Sequence, residues 1–232
     1  ELCIKYNVHK FVFSSSSTVY GNTLIPFTEK SNTGKGITNP YGQTKYIAEI
    51  ILQDVCKANP NIECKCLRYF NPVGAHPSGI LGESPNGIPN NLMPYILRVA
   101  CNHNTNSKLY LDYKELSIFG GDYETKDGTC IRDFIHVTDL AKAHIYALND
   151  SEKGFQTYNV GTGVGTTVLE LVETFKKVNN ITVPYSIKER RDGDRDIVYC
   201  NTDTITTKLG WKAEKTLQDI CRDSWNFMIN SI

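Results

Sequence analysis

Long hydrophobic runs are missing from this sequence of 232 residues: no apolar stretch reaches the roughly 20 residues that a membrane-spanning helix needs, and no signal-peptide pattern precedes the first predicted strand. An excess of charge is missing too. Lysine plus arginine and aspartate plus glutamate each number 25, so the balance favours neither nucleic acid nor an acidic membrane surface as a partner. The eight cysteines are scattered, and the one close pair, Cys64-Lys65-Cys66, has the spacing of neither a zinc knuckle nor a redox motif. Reduced thiols in a cytosolic protein are the expectation. No metal site is indicated, because His76 and His103 fall in loops while Asp133 and His136 lack further ligands, and these last two read as structural. A dinucleotide fingerprint is also lacking. Gly161-Thr162-Gly163-Val164-Gly165 lies between a strand and a helix, but the fingerprint needs a third small residue at a fixed offset and an acidic residue about twenty positions on, and position 166 is Thr. A tight structural turn is predicted there.

What is present is enough apolar residue, 40% of the chain, to bury a full core in one or two domains. The run Phe13-Ser14-Ser15-Ser16-Ser17-Thr18-Val19-Tyr20-Gly21 ends a short predicted strand, Lys10–Phe13. It is followed by Asn39-Pro40-Tyr41-Gly42-Gln43-Thr44-Lys45. Asn39 is a good N-cap, Pro40 suits the first helical position, and Ile47, Ile50, Ile51 and Val55 form an apolar stripe, so a helix is predicted to about residue 57. Tyr41 and Lys45 then stand one turn apart on one face. Serine hydroxyl, phenol and ammonium meeting at one point is what proton transfer to or from a substrate alcohol requires. Two other Tyr-x-x-x-Lys pairs, Tyr6/Lys10 and Tyr110/Lys114, lie in polar connections and read as structural.

A second strand, Cys64–Phe70, completes a βαβ unit, which implies a parallel sheet with ligands at the carboxyl ends of the strands, where Ser14–Thr18 and Asn71 fall. Residues 74–91 form a long Gly/Pro/Ser/Asn-rich connection. A helix over about Leu92–Cys101 follows, then a polar stretch, 102–114, read as an exposed insertion without a catalytic role. Leu116–Phe119 is a predicted strand, Thr125–Thr129 a turn, and Thr138–Leu148 a helix. Thr157–Val160 is a strand, followed by a helix opened by the capping box Thr167-x-x-Glu170.

The serine run, Tyr41/Lys45, Leu67-Arg68-Tyr69-Phe70-Asn71-Pro72, Gly87-Ile88-Pro89-Asn90-Asn91-Leu92-Met93-Pro94-Tyr95 and Asp127-Gly128-Thr129-Cys130-Ile131-Arg132-Asp133-Phe134-Ile135-His136-Val137 together resemble the UDP-glucose 4-epimerase family, a branch of the extended short-chain dehydrogenases/reductases. The resemblance covers nearly the whole chain apart from 102–114. It implies an α/β fold: an incomplete Rossmann-type doubly wound parallel sheet, its N-terminal part with a Gly-x-x-Gly-x-x-Gly loop absent, and a smaller α/β substrate-binding domain. On that reading 1–70 is the second half of the NAD-binding domain and 71–232 binds the UDP-sugar. The 232 residues alone are expected to be impaired or inactive, since the pyrophosphate would lose its helix N-terminus.

The implied reaction oxidises the sugar C4 hydroxyl with NAD, turns the 4-ketose over, and returns the hydride to its other face, interconverting UDP-galactose and UDP-glucose. By the same resemblance Tyr41 is the base, Lys45 its electrostatic partner and a contact to the nicotinamide ribose, and Ser16 a proton shuttle. An ordinary phenol, of pKa about 10, is a poor base at neutral pH, and a nearby cation favours its phenolate. Ser14 and Tyr69 match nicotinamide-side contacts, and Asn71 a contact to the sugar. Arg132 and Arg191 match ligands of the diphosphate, with Asn91 and Leu92 beside them. Asp194 matches a ribose contact, and Ser117 and Phe119 flank the uracil. Other readings stay open: Arg191 also suits a solvated charge run, Arg132 a pair with Asp133, and Asn90-Asn91 a helix cap. Val198 falls where a small residue leaves room for a C2 N-acetyl group, so acceptance of UDP-N-acetylglucosamine and UDP-N-acetylgalactosamine is expected. The alternatives are a 4,6-dehydratase or decarboxylase, disfavoured because Ser17 and Thr18 stand where those enzymes carry carboxylates, and a non-catalytic binding protein of the same fold. A homodimer packed through the Tyr41 helix is implied as well.

Overall fold

The computed structural model describes all 232 residues. The chain runs α1 (Leu2–Lys5), β1 (Lys10–Ser16), α2 (Pro40–Ala58), β2 (Glu63–Tyr69) and β3 (Asn71–Val73). Next come α3 (Leu92–Asn104), β4 (Leu116–Phe119), β5 (Ile131–Arg132), β6 (Phe134–His136), α4 (Val137–Asn149) and β7 (Phe155–Val160). It ends with β8 (Thr166–Thr167), α5 (Val168–Asn179), β9 (Tyr185–Lys188), β10 (Ile197–Val198), α6 (Asp203–Leu209) and α7 (Leu217–Asn230). No helix is long and apolar enough to cross a membrane.

The sequence reading drew a single boundary after residue 70, whereas contacts divide the chain into residues 1–71, 139–164 and 198–213 on one side and 72–138, 165–197 and 214–232 on the other. The reason is strand pairing. β7 lies parallel beside β2, with Cys64 opposite Phe155 and Tyr69 opposite Val160, so this late segment completes the sheet begun by β1.

In the first unit the sheet order is β1-β2-β7, and β1 pairs in parallel with β2 from Lys10↔Glu63 to Ser16↔Tyr69. The register sets Ser14–Ser16 and Tyr69 side by side at the strands' carboxyl ends. A central parallel strand is usually an unbroken apolar run, yet β2 reads Glu-Cys-Lys-Cys-Leu-Arg and is buried from Glu63 to Arg68. Each of its charges has a partner. Lys65 Nζ lies 3.0 Å from Asp150, which also accepts from the Tyr158 hydroxyl at 2.6 Å and the Glu152 amide at 3.0 Å, Lys153 donates to Glu63 at 2.5 Å, and Arg68 meets Glu49. Burial opposes ionisation of Asp150, but Tyr158, the Glu152 amide and Lys65 outweigh it and hold the carboxyl below the usual aspartate range.

Helix α2 begins as the sequence predicted: Pro40 is its first residue and the Asn39 side chain accepts from Gly42 N at 2.7 Å. The apolar stripe behaves otherwise. Ile47, Ile50 and Ile51 point outward, 52%, 41% and 56% exposed, while Gly42, Glu49 and Cys56 take the buried side. Only Val55, with Leu52, packs inward, against Cys56, Ile62 and Cys64. The buried face of α2 is polar at its centre because Glu49 finds Arg68 there.

The second unit packs α3, α5 and α7 with β4 around Ile96, Ala100, Leu116, Ile118, Leu171 and Phe175. β4 pairs in parallel with β9, and its pleat buries Leu116 and Ile118 while Ser117 and Phe119 share the more open face. His136 and Asp223 lie 3.3 Å apart in the interior, and Thr138 N donates to His136 Nδ1, so this histidine belongs to the scaffold. The predicted capping box of α5 is half formed. Thr167 accepts from Glu170 N, but the Glu170 carboxylate turns to Lys126. The Gly161–Gly163 turn, in the first unit, is closed locally by Val164 N donating to the Thr162 hydroxyl.

Removing one partner of a buried ion pair leaves the other unpaired and costs about 3–5 kcal/mol. Lys65→Ala is expected to lower the unfolding free energy in urea by about that amount, and the double variant Lys65→Met/Asp150→Leu, which leaves neither charge behind, by distinctly less. Because the Asp150 carboxyl is depressed in the folded state, its contribution is complete above about pH 4 and is lost as pH falls through the lowered value. Urea midpoints measured from pH 7 down to 3 check both statements.

Candidate functional site

At the carboxyl end of β1 the chain turns into a short 3-10 segment, Ser17–Tyr20. Ser16 caps it, its Oγ accepting from Thr18 N at 3.2 Å and from the Thr18 hydroxyl at 3.0 Å. With two donors already pointing at its oxygen, Ser16 keeps its own hydrogen for another acceptor. Lys45, on α2, donates to the Ser14 carbonyl at 2.8 Å and places its ammonium 5.5 Å from the Tyr41 ring centre and 5.1 Å from that of Phe13. The helical spacing therefore delivers ammonium and phenol to the end of β1. Tyr69, at the end of β2, donates to the Ser14 hydroxyl at 2.7 Å. Burial raises its phenol pKa, and the bond to Ser14 only partly offsets this. Ser14, Tyr41, Lys45 and Tyr69 are thus brought together in one cluster.

The sequence reading missed what holds this cluster. Glu49, one turn beyond Lys45, accepts from Ser15 at 2.5 Å and from Arg68 Nε and Nη2 at 3.1 and 2.6 Å. Arg68 Nη1 donates to Tyr20, and Tyr20 to Asn159 at 2.5 Å. His144 was missed as well. Its Nε2 touches the Tyr69 hydroxyl while its Nδ1 donates to the Leu140 carbonyl at 2.8 Å. The signal for Glu49 was its i+4 offset from Lys45; His144 comes from a helix distant in sequence and gave none.

The second unit holds the cationic residues. Arg132 donates to the carbonyls of Ile131 and Arg195 at 2.9 and 2.8 Å and to Asp194 at 3.4 Å, so it pairs with Asp194. The guanidinium of Arg191 stacks 3.8 Å from the ring centre of Phe119, which is not the behaviour of a freely solvated charge run. Asn91 occupies the N-cap position of α3 without capping it, and its amide donates to Glu83 at 2.7 Å. Leu92 packs partly on the core, and Ser117 and Phe119 present the open face of β4. Two arginines beside aromatic and hydroxyl surface are suited to an anion attached to a planar ring. Asn71 and Val198 are half-buried, and Val198 packs on Tyr20, Phe27, Phe70 and Cys200 of the first unit.

The profile of the NAD dependent epimerase/dehydratase family matches residues 1–161. The chain belongs to this family. Family members of similar sequence include the UDP-glucose 4-epimerase of Caenorhabditis elegans, 51% identical over 232 aligned positions that cover 98% of this chain and 64% of that protein. The UDP-glucose 4-epimerase of Bacillus subtilis is 48% identical over all of this chain and 66% of its own length. The chain thus spans about two thirds of the length of these relatives. Among solved structures it superimposes on the UDP-glucose 4-epimerase of Stenotrophomonas maltophila, solved with NAD and formylated UDP-arabinopyranose. There the TM-score is 0.91 and the identity 41%, over 99% of this chain and 66% of that one. The Bifidobacterium longum enzyme, in complex with NAD+ and UDP, gives 0.89 and 46% over the same shares. The α/β architecture with parallel sheets is therefore that of the family.

The two kinds of charge should separate in stability measurements. The Arg132–Asp194 pair, long at 3.4 Å and partly exposed, is expected to contribute less than about 1 kcal/mol, whereas losing the buried Glu49 partner costs about 3–5 kcal/mol. Chemical unfolding of Asp194→Asn and Arg68→Ala checks the contrast.

Proposed function

We propose that this chain supplies the hexose-handling and nucleotide-holding residues of an NAD-dependent UDP-glucose 4-epimerase, which interconverts UDP-galactose and UDP-glucose through a 4-keto sugar. The observation that carries the reading is Lys45 reaching both the Ser14 carbonyl and the Tyr41 ring, in a chain about half identical to UDP-glucose 4-epimerases. The residues at the end of β1 and β2 fit a nicotinamide nucleoside: an ammonium, a serine hydroxyl and a half-buried phenol stand within one hydrogen-bonded cluster. NAD, when bound, accepts the hydride from sugar C4 and gives it back.

The chain's own work is on protons and position. Tyr41 takes the proton of the C4 hydroxyl, with the Lys45 ammonium standing beside its ring. Ser16, whose hydrogen is not used by Thr18, donates between phenolate and sugar oxygen. Ser14 and Tyr69 orient the nicotinamide, and Asn71 contacts the hexose. Arg132 and Arg191 neutralise the diphosphate, Asn91 and Leu92 lie beside it, Asp194 accepts from the ribose, and Ser117 and Phe119 flank the uracil. Val198 leaves space for a C2 N-acetyl group, so UDP-N-acetylglucosamine and UDP-N-acetylgalactosamine are substrates too. The outward Ile47, Ile50 and Ile51 support a homodimer across α2, and eight free cysteines suit a cytosolic location.

Tests are made on the complete gene product. The denatured supernatant should contain NAD, and Tyr41→Phe should lower turnover of UDP-galactose by about 100- to 10,000-fold while retaining the cofactor. Bound NAD with unaffected Tyr41→Phe turnover would falsify the assigned base. Arg191→Ala should weaken UDP binding by about 10- to 100-fold, the worth of one charged hydrogen bond. Turnover of UDP-galactose without any turnover of the N-acetylated sugars would remove the broader specificity.

A further inference from the structure

The polar stretch 102–114 was expected to be an exposed insertion, yet two of its residues, Tyr110 and Tyr113, turn inward and pack on the core of the second unit. They converge on Arg98, a buried arginine of α3. The Arg98 guanidinium carbon lies 5.4 Å from the Tyr110 ring centre and 5.1 Å from that of Tyr113, and Nη1 donates to the Tyr113 hydroxyl at 2.6 Å. The other donors reach into the connection ahead of α3: Nη1 to the Gly87 carbonyl at 2.6 Å and Nη2 to the Pro85 carbonyl at 2.7 Å. The segment is itself fastened to α3, because Asn102 donates to the Tyr113 carbonyl at 3.2 Å and His103 Nε2 to that of Lys114 at 2.6 Å.

The connection so gripped runs from Glu83 to Asn91 and closes on itself where Asn91 donates to Glu83. At its middle Gly87 has φ +72°, with open space where a side chain would stand, so packing around that residue does little to define the loop. The guanidinium fork supplies the definition. Helix α3 has a core face that does not depend on it, since the side chains of Ile96, Val99, Ala100 and Cys101 are fully buried.

We propose that residues 102–114 act as a clasp on the Glu83–Asn91 loop. In it, Tyr110 and Tyr113 hold the Arg98 guanidinium, and Arg98 holds the loop in the pose that presents Asn91 and Leu92 to the nucleotide. This rests on the proposed role of Asn91 and Leu92 in nucleotide binding. Arg98 is a positioning residue: it preorganises a loop that would otherwise be ordered at the moment of binding, so its loss acts on affinity and not on the proton-transfer step.

The test compares the wild-type gene product with Arg98→Gln, Tyr113→Phe and the double variant Tyr110→Ala/Tyr113→Ala. UDP titration, steady-state kinetics with UDP-galactose and amide hydrogen exchange over residues 85–91 are the readouts. Arg98→Gln and the double variant should raise the Kd for UDP and the KM by about tenfold, with kcat changed less than about twofold and faster exchange in the loop. Tyr113→Phe, which keeps the ring and should fold, is expected to lie between. Unchanged UDP affinity in Arg98→Gln despite faster loop exchange overturns the clasp, and so does an equal fall in kcat and kcat/KM at unchanged KM. If Arg191→Ala also leaves UDP binding intact, the nucleotide reading itself fails; if Arg191→Ala weakens it and Arg98→Gln does not, only the clasp fails.

Discussion

The buried pair between Glu49 and Arg68 is the constraint on which the first unit depends. It joins three elements through one carboxylate: Ser15 from β1, Arg68 from β2 and Glu49 from α2. Each carries its neighbour into the site, since Ser15 lies between Ser14 and Ser16, Arg68 precedes Tyr69, and Glu49 stands one turn from Lys45. A salt bridge of this kind is weak as a source of net stability, because desolvation consumes much of the Coulomb gain. Its value is directional. The fork of Arg68 fits the carboxylate in one geometry, so the helix that carries Tyr41 and Lys45 can slide or turn only by leaving charges buried and unpaired.

The same logic explains which parts of the fold were legible in the sequence. The cap at Asn39, the proline at the first helical position and the βαβ order follow from local chemistry, and they read correctly. The strand β4 and the helices α3, α4 and α5 were likewise announced by periodicity. The inward face of α2 was misread because periodicity treats a carboxylate as solvent-seeking, whereas Glu49 is satisfied by an arginine from another strand. The contact-based division into units was not legible for a related reason. β7 is far away in sequence, and nothing in Phe155–Val160 states that it will pair with β2. Long-range pairings are the information that single-sequence patterns lack.

Within the site, spacing was informative only where both residues share one element. Tyr41 and Lys45 are one turn apart on a helix, and Ser117 and Phe119 are two apart on a strand; both placements held. Arg132 with Asp194 and Arg191 with Phe119 come from separate segments, and residue type alone left other partners open. His144 and Arg98 escaped notice altogether. Neither belongs to a spaced motif, and their roles come from contacts with Tyr69, Tyr110 and Tyr113 that only the folded chain makes.

Charge is used here in two opposed ways, and the difference is one of partnership. Lys65 and Arg68 are buried and matched with Asp150 and Glu49, so they fix the sheet and offer nothing to a ligand. Arg132 and Arg191 are placed differently: Arg132 is held by two carbonyls and shares the partly exposed Asp194 across 3.4 Å, and Arg191 lies on the face of Phe119. Neither guanidinium is buried against a carboxylate as that of Arg68 is, so both keep donors that can turn to another acceptor. Arg98 stands between the two classes. It is buried like the first and held by carbonyls and aromatic faces like the second, and its charge is spent on ordering a loop. A chain with no net charge can therefore build both a rigid scaffold and an anion-seeking surface, because what matters is which charges are neutralised where they stand.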